Sequence, residues 1–314
     1  MPEWVIERGI GESRAALIDH GRIVEARILL DGVARAGSRL DGRVKAVSPR
    51  TIVEAGGHEY LLPSGAPSAT EGAKIIIEIT REAIPGAEPW KRPLAKDVGD
   101  TVHDASPVDA RALPFPGPDD ALGRAGWWDV IEEARTGLVQ FAGGELRISA
   151  TPAMTLIDVD GYLPADELAV TGAAAAARAI RRLDIGGSIG VDLPTPRSKA
   201  ARLGAAAAID AELPQRFERT SVNGFGFIQI VRPRPRGSLV ELAQDRAAFE
   251  ARALLRRGAL EPPGPKHIVA HAAVIAVLER HPDWIEAFTR QIGGAVSLRV
   301  EPSLTISGGY AEAA

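Results

Sequence analysis

Between Pro85 and about Gly126 the chain carries seven prolines, at Pro85, Pro89, Pro93, Pro107, Pro114, Pro116 and Pro118. Proline has no N–H to give to a sheet ladder, and inside a helix its ring collides with the preceding turn. The stretch from 85 to 126 therefore reads as a linker, parting a β-rich front from a mixed rear. Trp90, Phe115, Trp127 and Trp128 lie in or beside it and need somewhere to bury. That predicts a linker lying along a neighbouring surface.

The front, residues 1–84, is patterned for strands. Ala15 to Ile18 and Ile23 to Ile28 flank Asp19-His20-Gly21-Arg22, a hairpin signal. Arg39 to Val47, Thr51 to Glu54, Tyr60 to Pro63 and Lys74 to Ile79 are short β-prone runs separated by Gly, Pro and Ser. This rhythm predicts a small β-barrel.

Behind the linker, Leu138 to Phe141 and Glu145 to Ser149 surround Ala142-Gly143-Gly144, a second hairpin signal, and Met154 to Val159 reads as a third strand. An alanine-rich helix is predicted from about Ala165 to Leu183, stopping before Gly186-Gly187. Ser188 to Asp192 reads as a strand buried on both faces, and Lys199 to Leu213 as a second helix. Strand followed by helix, twice, predicts an α/β sheet with Asp158 and Asp192 near strand ends, where the ligand sites of such sheets gather. Val222 to Val231 adds a strand and Leu239 to Arg257 a helix, so this domain is placed at 127–260, with a small α/β domain at 261–314.

Composition narrows the chemistry. The 314 residues contain no cysteine, so neither a disulfide nor a zinc-thiolate site can form, and any metal must sit on oxygen or histidine. The net charge of −4 argues against an indiscriminate phosphate binder. No charged leader precedes an apolar stretch at Met1, and no apolar run approaches the roughly 18 residues that span a bilayer; a cytoplasmic protein without a membrane partner is the expectation. His267 and His271 lie four apart with no third ligand near, and read as structural.

Two acids stand out, Asp158 in Ile157-Asp158-Val159-Asp160 and Asp192 in Ile189-Gly190-Val191-Asp192. A carboxylate in an apolar strand is costly to bury unless it is paired or metal-bound, and hard oxygen ligands favour magnesium or manganese. Capping of a turn at a strand end explains the same residues, and on periodicity alone the two readings stand level.

The wording around these acids goes further. Gly143-Gly144 and Leu146-Arg147-Ile148 lead into Ala153-Met154-Thr155-Leu156-Ile157-Asp158-Val159-Asp160, and Asp184-Ile185-Gly186-Gly187-Ser188-Ile189-Gly190-Val191-Asp192 follows. These runs resemble the ribonuclease E/G family, whose stretches read Ala-Leu-Thr-x-Ile-Asp-Val-Asn and Asp-Leu-Gly-Gly-x-Ile-Val-Ile-Asp. Phe225-Gly226-Phe227-Ile228-Gln229-Ile230-Val231-Arg232-Pro233-Arg234 is similar to the family's Phe-Gly-Leu-x-Glu-Met-Thr-Arg-x-Arg. Leu61-Leu62-Pro63 with Glu71-Gly72 resembles its barrel, and Gly293-Gly294-Ala295-Val296 with Gly308-Gly309-Tyr310 its tail.

The resemblance implies a mixed α+β protein: an N-terminal OB-type β-barrel, an RNase H-like α/β domain and a small C-terminal α/β domain. It implies a magnesium-dependent endoribonuclease acting on single-stranded RNA, with Asp158 and Asp192 holding Mg²⁺, or Mn²⁺ in its place. Asp160, where the family has asparagine, joins the catalytic set as an orienting group or third ligand. The RNA would be a messenger, ribosomal or transfer-RNA precursor.

Two departures matter. The family's zinc-link cysteines are absent, so a homodimer would have to form without zinc, and only residues 85–126 stand where a 5′-monophosphate sensor belongs. Lys91, Arg92, Arg178, Arg181, Arg182, Arg232 and Arg234 are candidate phosphate contacts, though for any one of them a solvated surface charge is the favoured reading. Where base-stacking rings are expected the barrel has Ile52 and Leu61, with Tyr60 the nearest aromatic. The competing function is a catalytically weak or inactive RNA-binding protein that keeps the fold.

Overall fold

A computed structural model describes residues 1–67, 69–84, 92–99, 101–105, 109–117 and 119–314. The chain divides into two compact units, each assembled from separated segments: Met1–Asp31, Ala110–Ile131 and Leu242–Ala314 form the first, Gly32–Asp109 and Glu132–Glu241 the second.

The chain opens on β1 (Glu3–Arg8), β2 (Glu12–Asp19) and β3 (Arg22–Leu30), successive antiparallel neighbours. The β2–β3 hairpin turns at His20 and Gly21, whose φ values of 47° and 76° belong to the turn type that matches strand twist. Next, β4 (Arg39–Ala46), β5 (Thr51–Ala55), β6 (His58–Leu62), β7 (Lys74–Arg81) and β8 (Leu94–Asp97) close a five-stranded barrel in the order β4-β5-β6-β8-β7, consistent with an OB-type barrel. Val44, Val53, Tyr60, Leu62, Ile77 and Ile79 fill its core. A short β9 (Arg111–Leu113) returns to the first unit and pairs in parallel with β1.

Two strands thus lie inside the proline-rich stretch, where the sequence reading has only a linker. The prolines themselves explain why this is allowed: Pro93 stands just ahead of β8, its carbonyl accepting from the Leu61 N–H at 2.9 Å, and Pro114 stands just behind β9. Neither has to donate within a ladder.

Beyond α1 (Ala121–Arg124) and α2 (Trp127–Thr136) comes a six-stranded mixed sheet in the second unit. Its members are β10 (Leu138–Phe141), β11 (Gly144–Ala150), β12 (Thr155–Gly161), β13 (Gly187–Asp192), β14 (Glu218–Arg219) and β15 (Phe227–Arg232), ordered β10-β11-β12-β13-β15-β14. The helix α3 (Ala165–Arg182) follows β12, and α4 (Lys199–Glu212) follows β13. Asp166 and Glu167 in the first turn of α3 and Arg181 and Arg182 in its last complement the helix dipole. Its buried stripe is mainly alanine, with Gly172 among it, so the backbone lies close to the sheet; a Cβ at Gly172 would stand 2.4 Å from Val159. Alternate residues Ile157, Val159, Ile189, Val191, Ile228 and Ile230 are buried on one side of the sheet. Each large aliphatic side chain so buried contributes about 1.5–3 kcal/mol.

Within this unit Glu82 leaves the barrel nearly buried, at 5% exposed. It accepts from the Ala36 N–H at 3.1 Å and lies 3.6 Å from Arg236, which also donates to Asp184 at 3.1 Å. Burial pushes its carboxyl up, against the opposing pull of the Ala36 N–H, Arg236 and Arg35.

The remainder is α5 (Leu239–Leu242), α6 (Arg246–Leu260), β16 (Lys266–Ala270), α7 (Ala272–Arg280), α8 (Pro282–Ile292), β17 (Val296–Val300) and β18 (Tyr310–Ala313). The single helix predicted over 239–257 is two, because Asp245 caps α6 by accepting from the Ala248 N–H. In the first unit β17, β16 and β18 form a three-stranded sheet against an apolar core that includes Leu254, Leu255, Ile268, Leu278 and Phe288.

That unit also holds a buried ionic cluster. Arg14 donates to Glu7 at 2.7 Å, Arg252 to Glu12 at 3.0 Å, and Arg256 to Glu7 at 3.0 and 3.2 Å and to Asp120 at 2.5 Å. Phe115 lies 4.8 Å from the Arg14 guanidinium and 5.5 Å from that of Arg256, and Trp128 lies 4.9 Å from Arg256. The rings at the end of the proline-rich stretch are therefore bedded on charged planes, an arrangement favoured by cation–π attraction. Among the described residues, no helix is long and apolar enough to cross a membrane.

Candidate functional site

The site is built on the parallel pair β12–β13. Its register places Thr155 opposite Ile189, Ile157 opposite Val191 and Asp158 opposite Asp192. Side chains alternate across a strand, so when Ile157 and Val191 point inward the two aspartates point outward together, on strands about 4.8 Å apart. Asp160 repeats the orientation two residues further along β12, and all three carboxylates are exposed.

That exposure corrects the burial argument made from sequence. Asp158 follows the apolar run but faces solvent, so neither acid carries the desolvation cost that an interior charge would. The Asp158 pKa is raised, first by partial desolvation and then by the negative charges of Asp160 and Asp192, while the Val159 N–H and Arg147 pull the other way. Arg147 sits directly across β11 in register with Asp158, its side chain exposed and 3.4 Å from Glu145. The alternation Glu145, Arg147, Ser149 carried the signal for this residue.

Two connections frame the carboxylates. The first, residues 193–198, runs from Asp192 to α4 and is tied down where the Arg197 N–H donates to Asp166 at 2.6 Å. The Ser198 hydroxyl and the Arg197 N–H hold the Asp166 carboxyl below its ordinary range. The second is the turn into β15, where the Asn223 side-chain oxygen accepts from the Phe225 and Phe227 N–H groups at 2.9 and 3.0 Å. They meet where Thr195 donates to the Phe225 carbonyl at 3.2 Å and the Leu193 N–H to the Gly226 carbonyl at 3.3 Å. Phe227 then pairs with Asp192, while Phe225 stands 82% exposed and Tyr162, beyond Asp160, 84% exposed.

The donor set suits a hard cation. Magnesium is commonly held by one or two carboxylates, with water and substrate phosphate completing its shell. Asp158 and Asp192 supply two such groups whose mutual repulsion a cation would relieve. Among the described residues no set of three or more His, Asp or Glu groups is placed to hold a metal by itself.

The other residues singled out from sequence fall elsewhere. Tyr60 is 1% exposed in the barrel core, where desolvation raises its pKa; a ring with no open face cannot stack on a base. Lys91 lies outside the described residues. Arg92 pairs with Glu59 at 3.0 Å, Arg178 with Glu212 at 2.6 Å, Arg182 with Glu133 at 2.6 Å, and Arg234 with Glu241. Arg232 donates to the carbonyls of Ile185 at 2.8 Å and Ile180 at 3.5 Å, tying β15 to the end of α3, and Arg181 is half-buried in that helix's last turn. These cations serve the fold first, and the paired ones would reach a phosphate only by leaving a carboxylate.

Compared with known proteins, the chain matches no family model and no curated protein.

Proposed function

We propose that this protein is a magnesium-dependent endoribonuclease that hydrolyses phosphodiester bonds of single-stranded RNA, its catalytic α/β domain RNase H-like and related to the ribonuclease E/G family. The observation that carries this reading is the register of Asp158 with Asp192 on one open sheet face, with Asp160 beside them. Asp158 and Asp192 would hold the ion, and the chemistry it supplies when bound is activation of water and neutralisation of phosphoryl charge. The chain's own contribution is to hold both carboxylates side by side and open to solvent, with Asp160 next along β12 as an orienting group or third ligand.

A second reading, an RNA-binding protein without hydrolytic activity, is favoured by the exposure of the three acids: exposed carboxylates cost little to retain in the absence of a metal. One experiment separates the two. With a fluorescent single-stranded RNA and Mg²⁺ or Mn²⁺, wild type is expected to cleave, and Asp158→Asn or Asp192→Asn to lose at least about a hundredfold in rate, the scale of removing charge stabilisation from a reacting phosphate. Binding without cleavage by wild type leaves the second reading standing.

A further inference from the structure

At the far ends of the two connections that frame the carboxylates lies a groove of about 350 Å³ between α4 and the edge of the sheet at β14. Lys199, Arg202 and Arg219 line it together with one carboxylate, Asp210. Arg219 and Asp210 are bound to each other through two hydrogen bonds, one of 2.7 Å, which pins α4 to the edge strand and shapes the wall. Lys199 is exposed, and Arg202 makes only a long contact, 3.5 Å, to the Pro196 carbonyl. Among the described residues no carboxylate is paired with Lys199 or Arg202, unlike Arg178, Arg182 and Arg234.

Its walls lead to the site. Residues 193–198 run from Asp192 directly to Lys199, and the segment that leaves the groove at Ser221 and Val222 runs through Phe225 to Phe227 opposite Asp192. Where these connections touch, Phe225 stands out into solvent. A polyanion of flexible backbone with an exposed ring face on each residue matches this order: cations for phosphates, then an aromatic for a base, then the carboxylate pair.

We propose that the α4–β14 groove is the track by which a single-stranded RNA backbone enters the carboxylate site, with Lys199 and Arg202 on phosphates and Phe225 stacking a base at the mouth. This rests on the endoribonuclease reading for its direction, but binding and cleavage test the two separately.

The binding test is fluorescence anisotropy of a 12-nucleotide single-stranded RNA with full-length protein in EDTA, across a salt titration. Each lost phosphate contact lowers the salt slope by about 0.7, so Lys199→Ala with Arg202→Ala should lower it by about 1.4 and weaken binding about 25-fold at 0.1 M salt. The conservative pair Lys199→Arg with Arg202→Lys should keep the wild-type slope. Phe225→Ala should weaken binding roughly tenfold with the slope unchanged, because stacking releases no counterions. In Mg²⁺, the same alanine variants should raise KM and leave kcat near wild type.

Wild-type slope and affinity in the double alanine variant would overturn the groove while leaving cleavage, and the endoribonuclease reading, intact. Wild-type protein that binds RNA with the groove-dependent slope and never cleaves would overturn the enzyme and support the groove. Failure of wild type to bind RNA, or binding of a protein partner lost in the same variants, would overturn the proposal.

Discussion

Gly226 is the residue on which the geometry beside Asp192 turns, and Gly226→Ala measures how much. Its φ is +95°, and a Cβ there would stand 2.3 Å from the Leu193 carbonyl oxygen, a backbone atom that can move only if the turn opens. Holding an L-residue in left-handed backbone costs about 1–2 kcal/mol. Opening the turn also sacrifices the hydrogen bond from the Leu193 N–H to the Gly226 carbonyl, worth about 1 kcal/mol. We expect a loss of about 2–3 kcal/mol, together with displacement of Phe225 and Phe227 and hence slower RNA cleavage. Urea denaturation followed by far-ultraviolet circular dichroism reads the stability. Tryptophan fluorescence suits it less, because Trp4, Trp127, Trp128 and Trp284 all belong to the other unit. Gly224→Ala is the internal control: a Cβ there meets nothing within 4 Å, so it should stay within about 0.5 kcal/mol of wild type. If Gly226→Ala is no more destabilising than Gly224→Ala, the reasoning about this turn fails.

Arg256→Met, which leaves Glu7 with Arg14 alone and takes from Asp120 its buried cation, should destabilise the first unit by about 3 kcal/mol, the low end for breaking a buried pair, read by tryptophan fluorescence during urea unfolding; a loss below about 1 kcal/mol would show the cluster to be energetically idle. For Asp158 the raised pKa means that the folded state favours its protonated form, so its contribution to stability is present at low pH and is lost as pH rises through the folded pKa. Asp192→Asn removes one of the charges that raise it. The Asp158 pKa, followed by carboxyl-carbon NMR, should fall in that variant and the pH-dependent loss should shrink, even as Mg²⁺-dependent cleavage disappears; an unmoved Asp158 would contradict the register.

Local patterns in the sequence gave good access to single elements and poor access to partners. The alanine-rich helix predicted to end near Leu183 is α3, and Lys199 to Leu213 is α4 with its last residue as cap. The strand predicted over 222–231 begins only at Phe227, because the Asn223 side chain and the positive φ of Gly226 bend its first half into a turn. Sheet alternation was legible at Ile157, Asp158 and Val159, but the direction of that alternation depends on which face α3 covers, a tertiary fact. For that reason the sequence alone reads as burying the aspartates, and the structure exposes them. Tyr60 illustrates the same limit, since one step of register decides whether a barrel ring points to solvent or core. The strand β9 is illegible for a different reason: it is only three residues long and its partner lies more than a hundred residues away, Val5 with Arg111.

The segmented make-up of the first unit sets a schedule for synthesis. Glu7 and Glu12 are synthesised long before two of the arginines that pair with them, since Arg252 and Arg256 follow 240 and 249 residues later. At roughly 5–20 residues per second that interval is about 12–50 s. During it Glu7 and Glu12 have Arg14 of β2 as their cation but lack Arg252 and Arg256, while both segments of the second unit emerge before α6 is complete. A released chain truncated after residue 241 should therefore protect the barrel and the six-stranded sheet from protease while Met1 to Asp31 remains open to it.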